Sequence, residues 1–246
     1  MLQTFYTIFE FLLYYMFFNL SDYSLYFVSN KVNDLIVNKK IRTSSFEIPT
    51  LYEWSIGNSV SYIFIYMVYT NKIGYLYFDN NEYNKFYTII SPGIYLFLQD
   101  FIFYLMHRAA HTPFLYKKIH YVHHKYRYPI SWSARLSHWI DSNMENIAFT
   151  LPAVIIPINA YIWKACLILT MLWANFLHDN TNKIKLEFIN DNTDHCLHHY
   201  YGEKNCNYSF YFNHWDKFFG TYKKMYINCE KIENKNKDKV LYNNNV

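Results

Sequence analysis

The sequence predicts an all-α integral membrane protein in which about four transmembrane or hairpin helices are topped by a cytosolic, helical, histidine-rich di-metal domain. Three observations predict it. Long apolar and aromatic segments recur along a chain of 246 residues that is 52% hydrophobic and 22% aromatic. Basic residues gather in alternate loops between those segments. Eight of the eleven histidines fall in three short clusters. The mean hydropathy of -0.15 hides this pattern, because many Asn and Tyr residues and a polar tail lower it, so windows are the better guide.

Taken in order, Phe5 to Leu20 is almost wholly apolar apart from Glu10 and makes a first span. It has no basic start and no small-residue cleavage site, which favours a retained span over a cleaved leader. Trp54 to Thr70 is a second span, and residues 1–85 form an N-terminal region of spans and loops. A third span runs from Phe86 to Met106 through Pro92 and Gly93 and leads directly to His107. The apolar stretch from Ile147 to Leu177 is too long for one straight span of about twenty residues. Pro152, Pro157, Asn159 and Lys164 break it, so it reads as a hairpin of two short helices that enters and leaves on one side. From Cys229 to Val246 the chain alternates Lys, Asn and Glu with few apolar positions, a composition that predicts disorder for residues 229–246.

Charge orients these segments. Lys31, Lys39, Lys40 and Arg42 follow the first span, only Lys72 and Lys85 lie in the next loop, and Arg108, Lys117, Lys118, Lys125, Arg127 and Arg135 surround the first two histidine clusters. By the positive-inside rule the clusters share the cytosolic face. A hairpin between the second and third clusters keeps them together, where a single span would separate them. The net charge of +4 is spread over these loops and implies anionic headgroups or an acidic electron donor rather than nucleic acid. Four cysteines without paired spacing are expected to be thiols in a reducing compartment.

The clusters are His107 and His111 in HRAAH, His120, His123 and His124 in HYVHH, and His195, His198 and His199 in HCLHH. Residues three or four apart on a helix share a face, so each cluster aims two or three rings at one point. Neutral imidazole binds iron, zinc and copper, and eight ligands exceed what one ion takes, so the spacing implies two metals. A zinc protease of the H-E-x-x-H type is a poor match, because Arg108 occupies the position of the general base. A metal transporter would carry its ligands within the spans, whereas these lie at span ends.

The order H-x-x-x-H, H-x-x-H-H, H-x-x-H-H after apolar segments resembles the fatty acid hydroxylase and sterol desaturase superfamily of membrane di-iron oxygenases. Asp100 to His111, DFIFYLMHRAAH, resembles that family's acidic residue ahead of HRxxH, and Lys117 to His124 resembles its KxxHxxHH. Asn207, Tyr208, Trp215, Asp216, Phe219, Gly220 and Thr221 resemble its closing NYG and WDxxFGT. The sterol C5-desaturase branch, also called lathosterol oxidase, looks nearest: His138 to Ser142 resembles HPxDG, and His178 to Thr181 resembles HDGD. Trp139, Ser142 and Ser209 depart from the pattern, as does DNT after His178, which bears on substrate more than on metal.

The resemblance implies that residues 86–228 form the catalytic domain, with two iron ions held by the eight cluster histidines and His178, and His138 as a further candidate. Zinc would fit the same ligands in purified material. It implies an oxidoreductase that uses O2 on a sterol or acyl lipid, with no catalytic side chain beyond the metal centre. Desaturation at sterol C5 is the first expectation, and sterol C4-methyl oxidation or hydroxylation of a sterol or acyl chain the alternative. Electrons would come from cytochrome b5 and an NAD(P)H-dependent reductase, at a multi-pass location in the endoplasmic reticulum membrane. Asp100, two helical turns before His107, and Asp141 and Asp194 are expected to orient imidazoles by accepting their free N–H groups. Asp194 reads equally well as the N-cap of the helix that carries His195. Asp216 is expected to fix the WDKFFGT turn, and His214 to be a hydrogen-bonded structural group.

Overall fold

A computed structural model describes residues 2–37, 50–79, 81–179, 187–202 and 206–224. The polar tail and Lys39, Lys40 and Arg42 lie outside the described residues. Helix α1, Leu2–Val37, runs well past the expected first span. No Gly or Pro occurs between Ser21 and Val37, so nothing in the chain stops the helix at Leu20. The second span is split by Asn58 into α2, Leu51–Gly57, and α3, Ser59–Tyr69. A capping box between Thr50 and Glu53 starts α2, and the Asn58 side chain donates to the Trp54 carbonyl at the break (2.8 Å).

Helix α4, Lys85–Ala110, is capped by Asn84 and continues through Pro92 to the first histidines. A short α5, Pro113–Lys118, leads into a tight 3-10 turn, His120–Lys125, and a second such turn spans Ser131–Arg135. The hairpin is present and begins earlier than expected. Helix α6, Trp139–Thr150, runs away from the histidines, α7, Pro152–Ile155, turns the corner, and α8, Ala160–His178, returns. Asn159 caps α8 by accepting the Tyr161 and Ile162 N–H groups (2.9 and 3.4 Å). Lys164 lies inside α8, above the Tyr69 ring, rather than at the tip. Helices α9, Asn192–Tyr201, and α10, His214–Phe218, complete the set.

Among the described residues the fold departs from all-α at an isolated antiparallel bridge between Ile189 and Phe212 and at one pair of short strands. Leu76–Tyr77 (β1) and Ile158–Asn159 (β2) pair in parallel, Leu76 opposite Ile158 and Tyr77 opposite Asn159. This bridge ties the hairpin tip to the loop after α3, so the histidine-bearing ends meet at the opposite end of the bundle. Tyr62, Ile65, Val68, Ala153, Ile158 and Trp163 form the core beside the tip. Phe103, Phe149, Leu177 and Phe210 form a second core beneath the histidines.

Among the described residues, two helices are long and apolar enough to cross a membrane, α4 and α8, where about four spanning or hairpin helices were expected. At 1.5 Å per residue they reach about 39 and 28 Å, against a hydrocarbon thickness of about 30 Å. Their outer faces are apolar and uncovered, with Ile89 on α4 75% exposed and Ile168 on α8 48% exposed, as is Phe17 on α1 at 69%. Cys166 and Cys206 are free and buried. Cys196 is disulfide-bonded, so the expectation of four thiols fails there.

Candidate metal centre

Nine buried histidines converge in two groups. His107, His111, His120, His124 and His198 form one, and His123, His178, His195 and His199 form the other. Each doublet cluster is shared: residues four apart, His120 with His124 and His195 with His199, face the same group, while His123 and His198 cross to the other. Helix α4 delivers His107 and His111 at its last turn, the 3-10 turn delivers the second cluster, and α9 the third. Helix α8 delivers His178 as its final residue.

Six of the nine rings have the outward nitrogen tied down. Nδ1 of His107 donates to the Tyr208 carbonyl (2.9 Å), His198 to Cys206 (2.8 Å), His123 to Leu136 (3.3 Å), His199 to Tyr126 (3.2 Å) and His178 to Ala174 (2.8 Å). His120 donates to the Asp141 carboxylate at 2.8 Å. These bonds fix the tautomer and leave Nε2 with an unshared lone pair turned inward.

Inside the groups the Nε2 atoms crowd one another. His124 Nε2 stands 3.2 Å from those of His111 and His120, and His195 Nε2 stands 3.2 Å from those of His178 and His199. Lone pairs at that distance repel unless a cation lies between them. Around an ion with metal–nitrogen bonds of about 2.0–2.1 Å, neighbouring ligand nitrogens stand roughly 3.0 to 3.4 Å apart, so these contacts are edges of a coordination polyhedron. His107 Nε2 and His198 Nε2 are buried without a hydrogen-bond partner, as free ligand atoms would be. The residues therefore fit two metal ions.

Electrostatics agree with the geometry. Burial, followed by the neighbouring imidazoles, holds His111, His123, His124, His195, His198 and His199 far below the usual histidine range, which keeps them neutral and able to bind metal. Burial raises the Asp141 pKa, but the His120 hydrogen bond and charge outweigh it and the net shift is downward.

The segment from Cys206 to Phe212 supplies two of the orienting carbonyls, and two aspartates hold it. Asp216 accepts from Tyr208 N, Ser209 N and the Thr221 hydroxyl (2.8, 2.8 and 2.7 Å), which is the turn-fixing role expected of it. Asn207 takes a left-handed φ of 54° there, a conformation Asn tolerates better than most residues.

Asp100 does not orient an imidazole. Its carboxylate accepts the backbone N–H groups of Phe210, Tyr211 and Phe212 (2.8, 2.8 and 3.2 Å), because two helical turns, about 10 Å, separate it from His107. Asp194 is not the cap of α9 either. Asp191 fills that place by accepting from Thr193 N and Asp194 N (2.8 and 2.9 Å), and Asp194 faces Tyr222. His138 stands outside both groups and caps α6 through Nδ1, which accepts from Ile140 N (3.2 Å). His214 lies flat against Phe97, ring centroids 5.2 Å apart, away from the site.

Glu145 was not foreseen. It lines a small void with His107, His120 and Asp141, and loss of water around its carboxyl group, then the charge of Asp141, pushes its pKa well above the carboxylate range. Its position four residues after Asp141, one turn along the same face of α6, was the available signal.

Two cages of buried imidazole at the ends of apolar helices define a class, a helical protein whose histidine clusters suit a di-metal site. Residues 93–221, just over half of the chain, match the model of the fatty acid hydroxylase family, and the chain belongs to that family of oxidoreductases. It is 29% identical over 151 residues to a Delta(7)-sterol 5(6)-desaturase of Gibberella zeae, covering 60% of this chain and 46% of that protein. It is 28% identical over 144 residues to lathosterol oxidase of Homo sapiens, covering 57% and 48%. With lathosterol oxidase of Mus musculus it shares 25% over 219 residues, 85% of this chain and 71% of the relative. The chain thus spans about half the length of the first two relatives. No solved structure matches it.

Proposed function

We propose that this protein is a membrane-bound, O2-dependent lipid oxidase with two irons, and that its reaction is the introduction of the C5 double bond of a sterol. The observation that carries the di-metal reading is the packing of Nε2 atoms at 3.2 Å in two buried groups. The sterol reading is supported by the relatives named Delta(7)-sterol 5(6)-desaturase and lathosterol oxidase.

His107, His111, His120, His124 and His198 would hold one ion, and His123, His178, His195 and His199 the other. Bound iron would supply the reduction of O2 and the oxidising power to remove hydrogen from an unactivated carbon. The imidazoles bring no charge, so the ions keep their Lewis acidity. Asp141 and the carbonyls of residues 206, 208, 126, 136 and 174 hold the rings in place during turnover. Each O2 consumes two electrons and two protons; it leaves as two waters when a double bond forms, or as one water when oxygen stays on carbon as a hydroxyl. The electrons would come from a cytochrome b5-type donor served by an NAD(P)H-dependent reductase. The basic loops around the clusters favour a cytosolic site on the endoplasmic reticulum.

Expression in cells that lack sterol C5-desaturase, followed by mass spectrometry of their sterols, tests the reading. Conversion of the accumulated Δ7-sterol to the Δ5,7-diene is the expected result. Unchanged Δ7-sterol in cells with good expression and electron supply would remove the C5-desaturase assignment. New hydroxylated or C4-oxidised sterols, or hydroxylated acyl chains, would replace it with the hydroxylase alternative.

A further inference from the structure

A cavity of about 590 Å³ lies between α1, α3, α6 and α8, within the range of pockets that enclose a small lipid or drug-sized ligand. From Lys164 to Ala174 it follows α8 for ten residues, about 15 Å. Most of its wall is apolar, including Phe18, Ile65, Phe149, Leu167 and Met171. Phe17 on α1 and Ile168 on α8 line it and are exposed on the outer apolar faces of those helices.

One end of this cavity is polar. Asp22 Oδ2 accepts from the Tyr62 hydroxyl (2.8 Å), Trp54 Nε1 (3.2 Å) and Arg135 Nη2 (3.3 Å), and Arg135 Nη1 donates to Asn146 Oδ1 (3.0 Å). All three bonds fall on Oδ2, which leaves Oδ1 with its acceptor positions for a ligand. Asp22, Tyr62, Arg135 and Asn146 all line the cavity.

The polar end is also the end nearest the histidines. Arg135 immediately precedes Leu136, whose carbonyl receives His123 Nδ1. Ala174, at the same end, gives its carbonyl to His178 Nδ1. A lipid whose hydroxyl reaches Asp22 therefore lies with its head toward the metal groups and its apolar body toward Lys164. The carbons of such a lipid that lie nearest the histidines are then those within a few bonds of the hydroxyl.

We infer that Asp22, held by Tyr62, Trp54 and Arg135, is a binding site for the single hydroxyl of a sterol and selects the carbon that is oxidised. The inference rests on the sterol reading above. In a 3-hydroxysterol, C5 is two bonds from the carbon that bears the hydroxyl, so anchoring the hydroxyl at this end presents the A/B-ring junction. A fatty acyl chain oxidised far from its head would need the opposite arrangement, with the polar anchor remote from the histidines.

Equilibrium binding in detergent micelles tests the inference apart from catalysis. The probes are tritiated 5α-cholest-7-en-3β-ol and its 3-deoxy analogue, with the full-length protein. A buried site built to bond a hydroxyl penalises a ligand that lacks it, so the wild type should bind the 3-deoxy compound at least about tenfold more weakly. Asp22→Asn should abolish that discrimination by weakening only the hydroxysterol. Tyr62→Phe, which removes one hydroxyl and keeps the ring, should reduce it while the thermal midpoint stays in place, and serves if the first variant does not fold. Equal binding of both probes by the wild type, loss of both affinities in proportion in the variants, or no sterol binding at all would overturn the site. Discriminating binding without desaturation would leave the hydroxyl site standing and remove the C5 reaction. Desaturation that ignores the hydroxyl would do the reverse.

Discussion

His120 shows how one residue joins the layers of the centre: Nε2 faces His124 while Nδ1 donates to Asp141. Loss of such an outer partner typically lowers metal affinity ten- to a hundredfold, so Asp141→Asn should raise the dissociation constant for iron by about that factor with little loss of fold. Metal titration of the chelated protein reads it, and unchanged affinity would count against the role of Asp141. His123→Ala or His199→Ala removes a ring from the four-histidine group. Each should lower bound iron toward one ion per chain and abolish turnover; a fully metallated, active variant would refute the ligand assignment. Asp100→Asn should behave differently. It weakens three backbone bonds to a buried carboxylate, each worth about 1.5–3 kcal/mol when the acceptor is charged, so the loss should appear first in the thermal midpoint of metal-free protein. His178 was legible through its place at the end of an apolar stretch, before Asp179. The inward turn of its ring became visible only with Ala174 and His195 around it.

Helices α6, α7 and α8 form the element on which the site depends. They carry Asp141 out from the centre and bring His178 back to it. Pro152, Pro157 and Asn159 announced the turn in the sequence, since Pro ends helices and Asn caps them. The β1–β2 bridge was not legible, because two-residue strands have no periodicity and exist only when Leu76 and Ile158 meet. Asn159→Ala removes the α8 cap and should cost about 1 kcal/mol. Because the cap lies at the end of α8 opposite His178, iron affinity should change little; urea unfolding beside metal titration separates the two effects. The range of α1 was misread for a related reason. Hydropathy marks where a segment stops being apolar, whereas the helix continues through Ser21 and Asp22 to Val37 because no Gly or Pro intervenes.

Across the whole molecule, burying so many neutral histidines ties stability to pH. Their native pKa values lie far below the unfolded value of about 6.5, so the unfolded chain binds more protons once the pH falls below that value. Stability is therefore present above about pH 6.5 and lost as the pH drops toward the depressed native values. Each such histidine contributes up to about 1.4 kcal/mol per pH unit. Asp194 acts with the opposite sign: burial, then Asp191, raises it to about 7, so its contribution grows as the pH falls from about 7 toward 3.8. Glu145, also raised by burial, acts in the same direction as Asp194, and these two carboxyls do not reverse the balance against His111, His123, His124, His195, His198 and His199. The metal-free protein should unfold at a clearly lower temperature at pH 5.5 than at pH 7.5, and an equal midpoint at both would show that these rings are not held neutral. Taken by itself, the sequence determined the apolar segments, the returning hairpin, the three histidine clusters and a number of imidazoles that suits two metals, because periodicity, breakers and ligand count are local properties of a chain. Only the tertiary structure decided which histidines group together, that Asp100 braces a loop while Asp141 holds a ring, that His138 caps a helix, and that Asp22 and Arg135 meet beside a cavity. Those outcomes depend on distances between residues remote in the chain, such as Asp22 and Arg135 or His107 and Tyr208, which no local pattern encodes.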